Sequence, residues 1–132
     1  MNVALVNPGS PRALKKENLG LAYLAATLRA DGHQVCIVDE VAGQNLVSRL
    51  ESFKPDIIGI SFMTMFAPRA YALAARLRKQ FRVPLIAGGA HPTALPQEAC
   101  RYFDLVIRGE AEIAFPHILR DNITSGVVEP MP

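Results

Sequence analysis

The chain has 132 residues, half of them hydrophobic, enough for one compact domain with a sizeable core. Its formal net charge is +2 and its basic residues are scattered, so it carries no footprint for nucleic acid. No apolar run approaches the roughly 20 residues of a membrane span, and the two cysteines, Cys36 and Cys100, lack metal-ligand spacing.

Met1-Asn2-Val3-Ala4-Leu5-Val6 enters an apolar run with no basic region before it, so it reads as a first strand and not as a signal peptide. The expectation is a soluble cytoplasmic domain. After Val3–Val6, Asn7-Pro8-Gly9-Ser10-Pro11 breaks the strand, and a polar loop with Arg12, Lys15 and Lys16 runs to about Asn18. Leu21, Leu24, Ala25 and Leu28 share one helical face, and Asp31-Gly32 ends that helix with a glycine suited to a left-handed cap. Gln34–Val38 is a second strand. Leu46, Val47, Leu50 and Phe53 make a short amphipathic helix, and Ile57–Ser61, apolar on both faces, reads as a central third strand.

Pro68 suits the first turn of the next helix, whose stripe is Ala70, Leu73, Ala74 and Leu77. Val83–Ala87 is the fourth strand. It stops at Gly88-Gly89, and Pro92 argues against an immediate helix. Pro96 to about Tyr102 forms a short helix, Leu105–Ile107 a fifth strand and Ala114 to about Arg120 the last helix. Residues 1–124 form the domain, and 125–132 read as the start of a linker.

Strands alternating with helices predict a flavodoxin-like, Rossmann-like α/β fold: three layers around a five-stranded parallel sheet of order 2-1-3-4-5. Ligands of such sheets bind at the carboxyl edge. There lie the loops Asn7–Asn18, Ser61–Phe66, Gly88–Ala94 and Arg108–Glu112.

The first loop has neither a dinucleotide fingerprint nor a Walker lysine motif. Asn7 and Ser61 stand where a phosphoacceptor domain needs acidic residues. Ser61-Phe62-Met63-Thr64-Met65-Phe66 groups two hydroxyls with four soft apolar side chains, a suitable lining for a broad, partly apolar ligand or simply packing under the next helix. Gly88-Gly89 lacks Cβ atoms and allows main-chain N–H groups to approach a bulky ligand. His91 alone of the three histidines falls at this edge, and either touches a ligand or stabilises its own turn; it has no partner for a protein-built metal site. Glu110 and Glu112 open the last helix, where carboxylates suit the macrodipole.

Six segments together resemble the cobalamin-binding domain at the front of B12-dependent radical S-adenosylmethionine (SAM) enzymes. They are Asn7-Pro8, Leu19-Gly20-Leu21-Ala22-Tyr23-Leu24-Ala25, Gly32-His33-Gln34-Val35, Lys54 to Ser61, Gly88-Gly89-Ala90-His91-Pro92-Thr93 and Arg108-Gly109-Glu110-Ala111-Glu112. The resemblance implies a cofactor, methylcobalamin or hydroxocobalamin, whose nucleotide tail inserts beside the third and fourth strands. Gly88 and Gly89 would clear room for that tail, with Ala90 and His91 following them. Ser61 and Thr64 would hydrogen-bond to it beside Phe62. Asn7 and Pro8 would face the lower side of the corrin, and Gly109 and Glu110 its edge.

The Asp-x-His-x-x-Gly motif of methionine synthase and the mutases, whose histidine ligates cobalt, is replaced here by Asn7-Pro8-Gly9-Ser10-Pro11-Arg12. The expectation is base-off binding without histidine. Two cysteines cannot supply the three-cysteine cluster motif of radical SAM enzymes, so the 4Fe-4S cluster and S-adenosylmethionine would belong to a further, C-terminal barrel beyond the linker. The parent would then resemble a radical SAM methyltransferase or the anaerobic magnesium-protoporphyrin monomethyl ester cyclase. The alternatives are a stand-alone B12 carrier or sensor and a degenerate domain that no longer binds B12.

Overall fold

The structure, a computed structural model, describes residues 1–9, 19–40 and 45–130. The expected basic loop from Ser10 to Asn18 lies outside them. Six parallel strands form one sheet: β1 (Asn2–Asn7), β2 (Gln34–Asp39), β3 (Ile57–Ser61), β4 (Leu85–Gly88), β5 (Leu105–Ile107) and β6 (Gly126–Val128), in the order β2-β1-β3-β4-β5-β6. The five-stranded expectation is therefore corrected. The sixth strand pairs Leu105 with Gly126 and Ile107 with Val128, inside the segment read as the start of a linker.

The helices are α1 (Leu19–Ala30), α2 (Leu46–Phe53), α3 (Ala67–Gln80), α4 (Ala90–Ala94), α5 (Pro96–Ala99) and α6 (Ala111–Asp121), with a 3₁₀ turn at Thr64–Phe66. Local chemistry sets their ends. The Asn45 side chain accepts the Ser48 N–H at 3.1 Å to cap α2, and Pro68 sits in the first turn of α3, where its missing N–H costs nothing. The helix α4 corrects the view that Pro92 bars one there. Gly89 is its N-cap, so Pro92 is its third residue, within the turn whose N–H groups have no intrahelical acceptor anyway.

Alternation along the strands divides the core in two. Val3, Leu5, Ile57 and Ile86 face α1 and α6, packing on Leu21, Leu24, Leu28, Phe115 and Ile118. Ala4, Val6, Ile58, Ile60 and Phe62 face the other layer, with Leu50 of α2, Leu73 and Leu77 of α3, and Ala99 of α5. Both faces of the sheet are covered, as a parallel sheet requires. No helix among the described residues is long and apolar enough to cross a membrane.

Candidate functional site

At the carboxyl edge, between the sheet and the α1–α6 layer, lies a cavity of about 230 Å³. Its floor comes from alternate strand positions: Leu5 of β1, Gly59 and Ser61 of β3, Ile86 and Gly88 of β4, and Ile107 of β5. Gly20, Leu21 and Leu24 of α1 form one wall; Ala111, Glu112 and Phe115 of α6 form the other, with Gly89, Gly109 and Glu110 at the rim. The three strands β1, β3 and β4 are in register here, Leu5 beside Gly59 and Ser61 beside Gly88.

Glycines keep this space open, each in its own way. A Cβ on Gly59 would stand 3.3 Å from Leu5 Cδ2 and 3.5 Å from Phe115 Cε2, closing the depth of the cavity. A Cβ on Gly88 would meet nothing within 4 Å, since that side of β4 is empty space. Gly89 is different. Its φ of 99° and ψ of −172° belong to a region essentially reserved for glycine, and a Cβ would press on Phe62 and Ser61. It lets the turn after β4 pack directly on the end of β3. Glu110 is the N-cap of α6 and Glu112 lies in its first turn, where the helix dipole favours their negative charge.

Five of the expected contacts therefore come together around one cavity: Ser61, Gly88, Gly89, Gly109 and Glu110. The others lie elsewhere. Phe62 is 3% exposed in the opposite core layer, because it follows Ser61 and successive strand residues point to opposite faces. Its ring packs near Tyr71, His91 and Phe103. His91 is also buried, at 4% exposure, and both ring nitrogens have partners: Nδ1 lies 3.0 Å from Thr64 Oγ1 and Nε2 3.1 Å from Glu98 Oε1. These contacts hold the turn after β4 against the loop after β3, and Thr64, exposed on that loop, shares one of them. Ala90 is exposed on α4 and does not line the cavity.

Bonding to His91, with the nearby Tyr71 hydroxyl adding to it, holds the Glu98 carboxyl below its ordinary range. Burial, with Glu98 adding to it, pushes the Tyr71 phenol above its own. Asn7 ends β1 and donates from Nδ2 to Asp39 Oδ1 at 3.2 Å, beside the buried Pro8. The Gly9 N–H donates to Glu40 Oε1 at 3.2 Å, and Glu40 is held by Arg69 through Nη2–Oε2 at 2.6 Å. That arrangement anchors the first residues after β1 at the carboxyl edge.

Several lining residues carry the sequence pattern of ordinary core. Leu21 and Leu24 carry the α1 stripe, and nothing in a stripe says that its upper end stands clear of the sheet; Phe115 carries no sequence signal of its own. The available signal is Gly59, a residue without a side chain flanked by isoleucines in the middle of a strand.

A parallel α/β domain with an apolar, glycine-floored cavity at its carboxyl edge has the layout of a ligand-binding module. Residues 11–119 match the B12 binding domain family, and the chain belongs to that family. Cobalamin is thus its cofactor. The chain is 33% identical over 141 residues to the uncharacterized methyltransferase PH0819 of Pyrococcus horikoshii, covering 96% of this chain and 30% of that protein. It is 32% identical over 98 residues to the bacteriochlorophyllide d C-12(1)-methyltransferase of Chlorobaculum tepidum, covering 74% and 21%. The chain thus spans less than a third of the length of these relatives. Among solved structures, the radical S-adenosylmethionine methyltransferase TsrM from Kitasatospora setae, with cobalamin and a [4Fe-4S] cluster bound, superposes with a TM-score of 0.77. That likeness, at 16% identity over 92% of this chain and 25% of the other, shows the shared fold.

Proposed function

We propose that this domain holds cobalamin for a larger B12-dependent radical SAM enzyme, with the nucleotide tail in the α1–α6 cavity and no histidine on cobalt. The observation that carries this reading is the cavity itself: apolar walls, and a floor from which side chains are missing at Gly59 and Gly88. Side chains there would fill the space that a slender ligand needs. Ser61 in the floor and the backbone of Gly89 at the rim offer polar groups; Asn7 and Pro8, at the end of β1, stand on the edge over which the corrin would lie.

The histidines support the base-off part of the reading. His33 lies beside the N-terminal amine, His117 is exposed on α6, and His91 is buried in the layer away from the cavity. None lines the cavity, and the sequence from Asn7 to Asn18, which follows β1 on the edge over which the corrin would lie, contains no histidine. When bound, cobalamin supplies cobalt-centred methyl-transfer or related radical chemistry. This chain's residues bind and orient it, while the cluster and S-adenosylmethionine would belong to a further domain of the parent protein. The relatives named as methyltransferases, each much longer than this chain, favour a parent that transfers a methyl group.

The test is a visible spectrum after mixing the purified chain with hydroxocobalamin and desalting. Retained cobalamin with a base-off spectrum is the expected result. A spectrum of histidine-ligated cobalt removes the assignment of cobalt without histidine, and a flavin carried through purification with no cobalamin uptake removes the whole reading.

A further inference from the structure

We propose that His91 and Thr93 are positioning residues, and that α4 is a bracket fixing the loops after β3 and β5 on either side of the cavity mouth. The inference rests on the cavity being the cofactor site. In the sheet, β4 lies between β3 and β5, so the short helix that follows it can reach both neighbouring loops. Residues 91 and 93 divide that task.

Toward β3, the His91 N–H donates to the Phe62 carbonyl at 3.2 Å, and its ring meets Thr64 Oγ1 at 3.0 Å and Glu98 Oε1 at 3.1 Å. An ionised carboxylate only accepts, so Nε2 carries the proton toward Glu98; in the neutral ring Nδ1 then accepts the Thr64 hydroxyl proton. Toward β5, Thr93 Oγ1 accepts the Gly109 N–H at 3.1 Å, and the Thr93 carbonyl accepts Arg108 Nε–H at 3.1 Å. Arg108 in turn donates to Glu129 at 2.7 Å, beyond β6.

Neither His91 nor Thr93 lines the cavity, but each bonds to a loop that does, at Ser61 on one side and at Gly109 and Glu110 on the other. A helix of five residues has little stability of its own. Its side-chain bonds therefore order helix and loops together, and Gly89 allows the start of α4 to come close enough to make them. His91, 4% exposed, could not replace its lost partners with water at little cost.

The experiment compares Thr93→Val, Thr93→Ser and His91→Phe with the unchanged chain, using hydroxocobalamin as the probe. It reads the dissociation constant from absorbance, Gly109 amide exchange by NMR, and Tm. Leu77→Val, a core change away from the cavity, shows what lost stability alone does. Thr93→Val is expected to speed Gly109 exchange and weaken binding by about fivefold, the scale of one lost hydrogen bond, and Thr93→Ser to restore both. His91→Phe is expected to shift the Ser61 and Phe62 amide resonances and weaken binding by a similar factor. Leu77→Val should lower Tm with binding unchanged.

Wild-type exchange and wild-type binding in Thr93→Val overturn the bracket while leaving the cofactor site intact. If the unchanged chain takes up no hydroxocobalamin, the cofactor reading falls and Gly109 exchange alone judges the bracket: faster in Thr93→Val supports it, unchanged overturns it. If His91→Phe does not fold, the Thr93 pair decides.

Discussion

The Cβ that Gly89 lacks would stand 2.9 Å from both the backbone nitrogen and the carbonyl oxygen of Phe62. Backbone cannot step aside as the end of a flexible side chain can. Together with a φ of 99°, this makes Gly89 a structural requirement of the edge as well as part of the cavity rim. Gly89→Ala should therefore destabilise the domain by about 3 kcal/mol or more, combining the strain of a glycine-only conformation with overpacking. Urea unfolding measures it; a loss below about 1 kcal/mol would show that the turn can rearrange.

The Glu98 carboxyl predicts how the edge responds to acid. His91, and secondarily Tyr71, hold it below its ordinary value near 4.5. A carboxylate with a lowered folded-state pKa stabilises the fold above that ordinary value, and this contribution is lost as pH falls through the folded value. Stability of the unchanged chain should therefore fall more steeply below about pH 4.5 than that of Glu98→Gln, which lacks the titration. Parallel slopes across that window would contradict the His91–Glu98 pairing.

The placement of the histidines makes a spectroscopic prediction. With cobalamin bound and reduced to the cob(II)alamin state, the electron paramagnetic resonance spectrum should lack the threefold splitting that an axial nitrogen produces. His33→Ala and His117→Ala should leave it unchanged. Nitrogen splitting that vanishes in either variant would identify an axial histidine and refute the absence of a histidine ligand; splitting that persists in both would refute base-off binding.

Much of this was legible in the sequence. Ile57–Ser61 and Leu105–Ile107 begin and end where the apolar runs do, because buried parallel strands need apolar residues on both faces. The sixth strand was not legible. Gly126-Val127-Val128 is too short to show a period, and it becomes a strand by pairing with β5 rather than by propensity.

The site was half legible for a similar reason. Gly88 and Gly89 mark where a backbone comes close to something, but no spacing rule shows that α4 carries His91 into the opposite layer. The separation of Ser61 from Phe62 was available, since neighbouring strand residues face opposite ways. Of the two readings open for Ser61 to Phe66, a ligand lining and packing under the next helix, that alternation gives Ser61 to the cavity face and Phe62 to the packing.

The central claim, that the cofactor occupies the glycine-floored cavity, is tested most directly at Gly88. This residue lines the cavity, lacks a positive φ, and has open space where a side chain would go. Gly88→Leu should change folding stability by no more than about 1 kcal/mol. Equilibrium dialysis against hydroxocobalamin, with Tm measured on the same samples, is the decisive comparison. Binding by the unchanged chain and its loss in an equally stable Gly88→Leu variant is the predicted result; equal binding by both would contradict the assignment of the cavity.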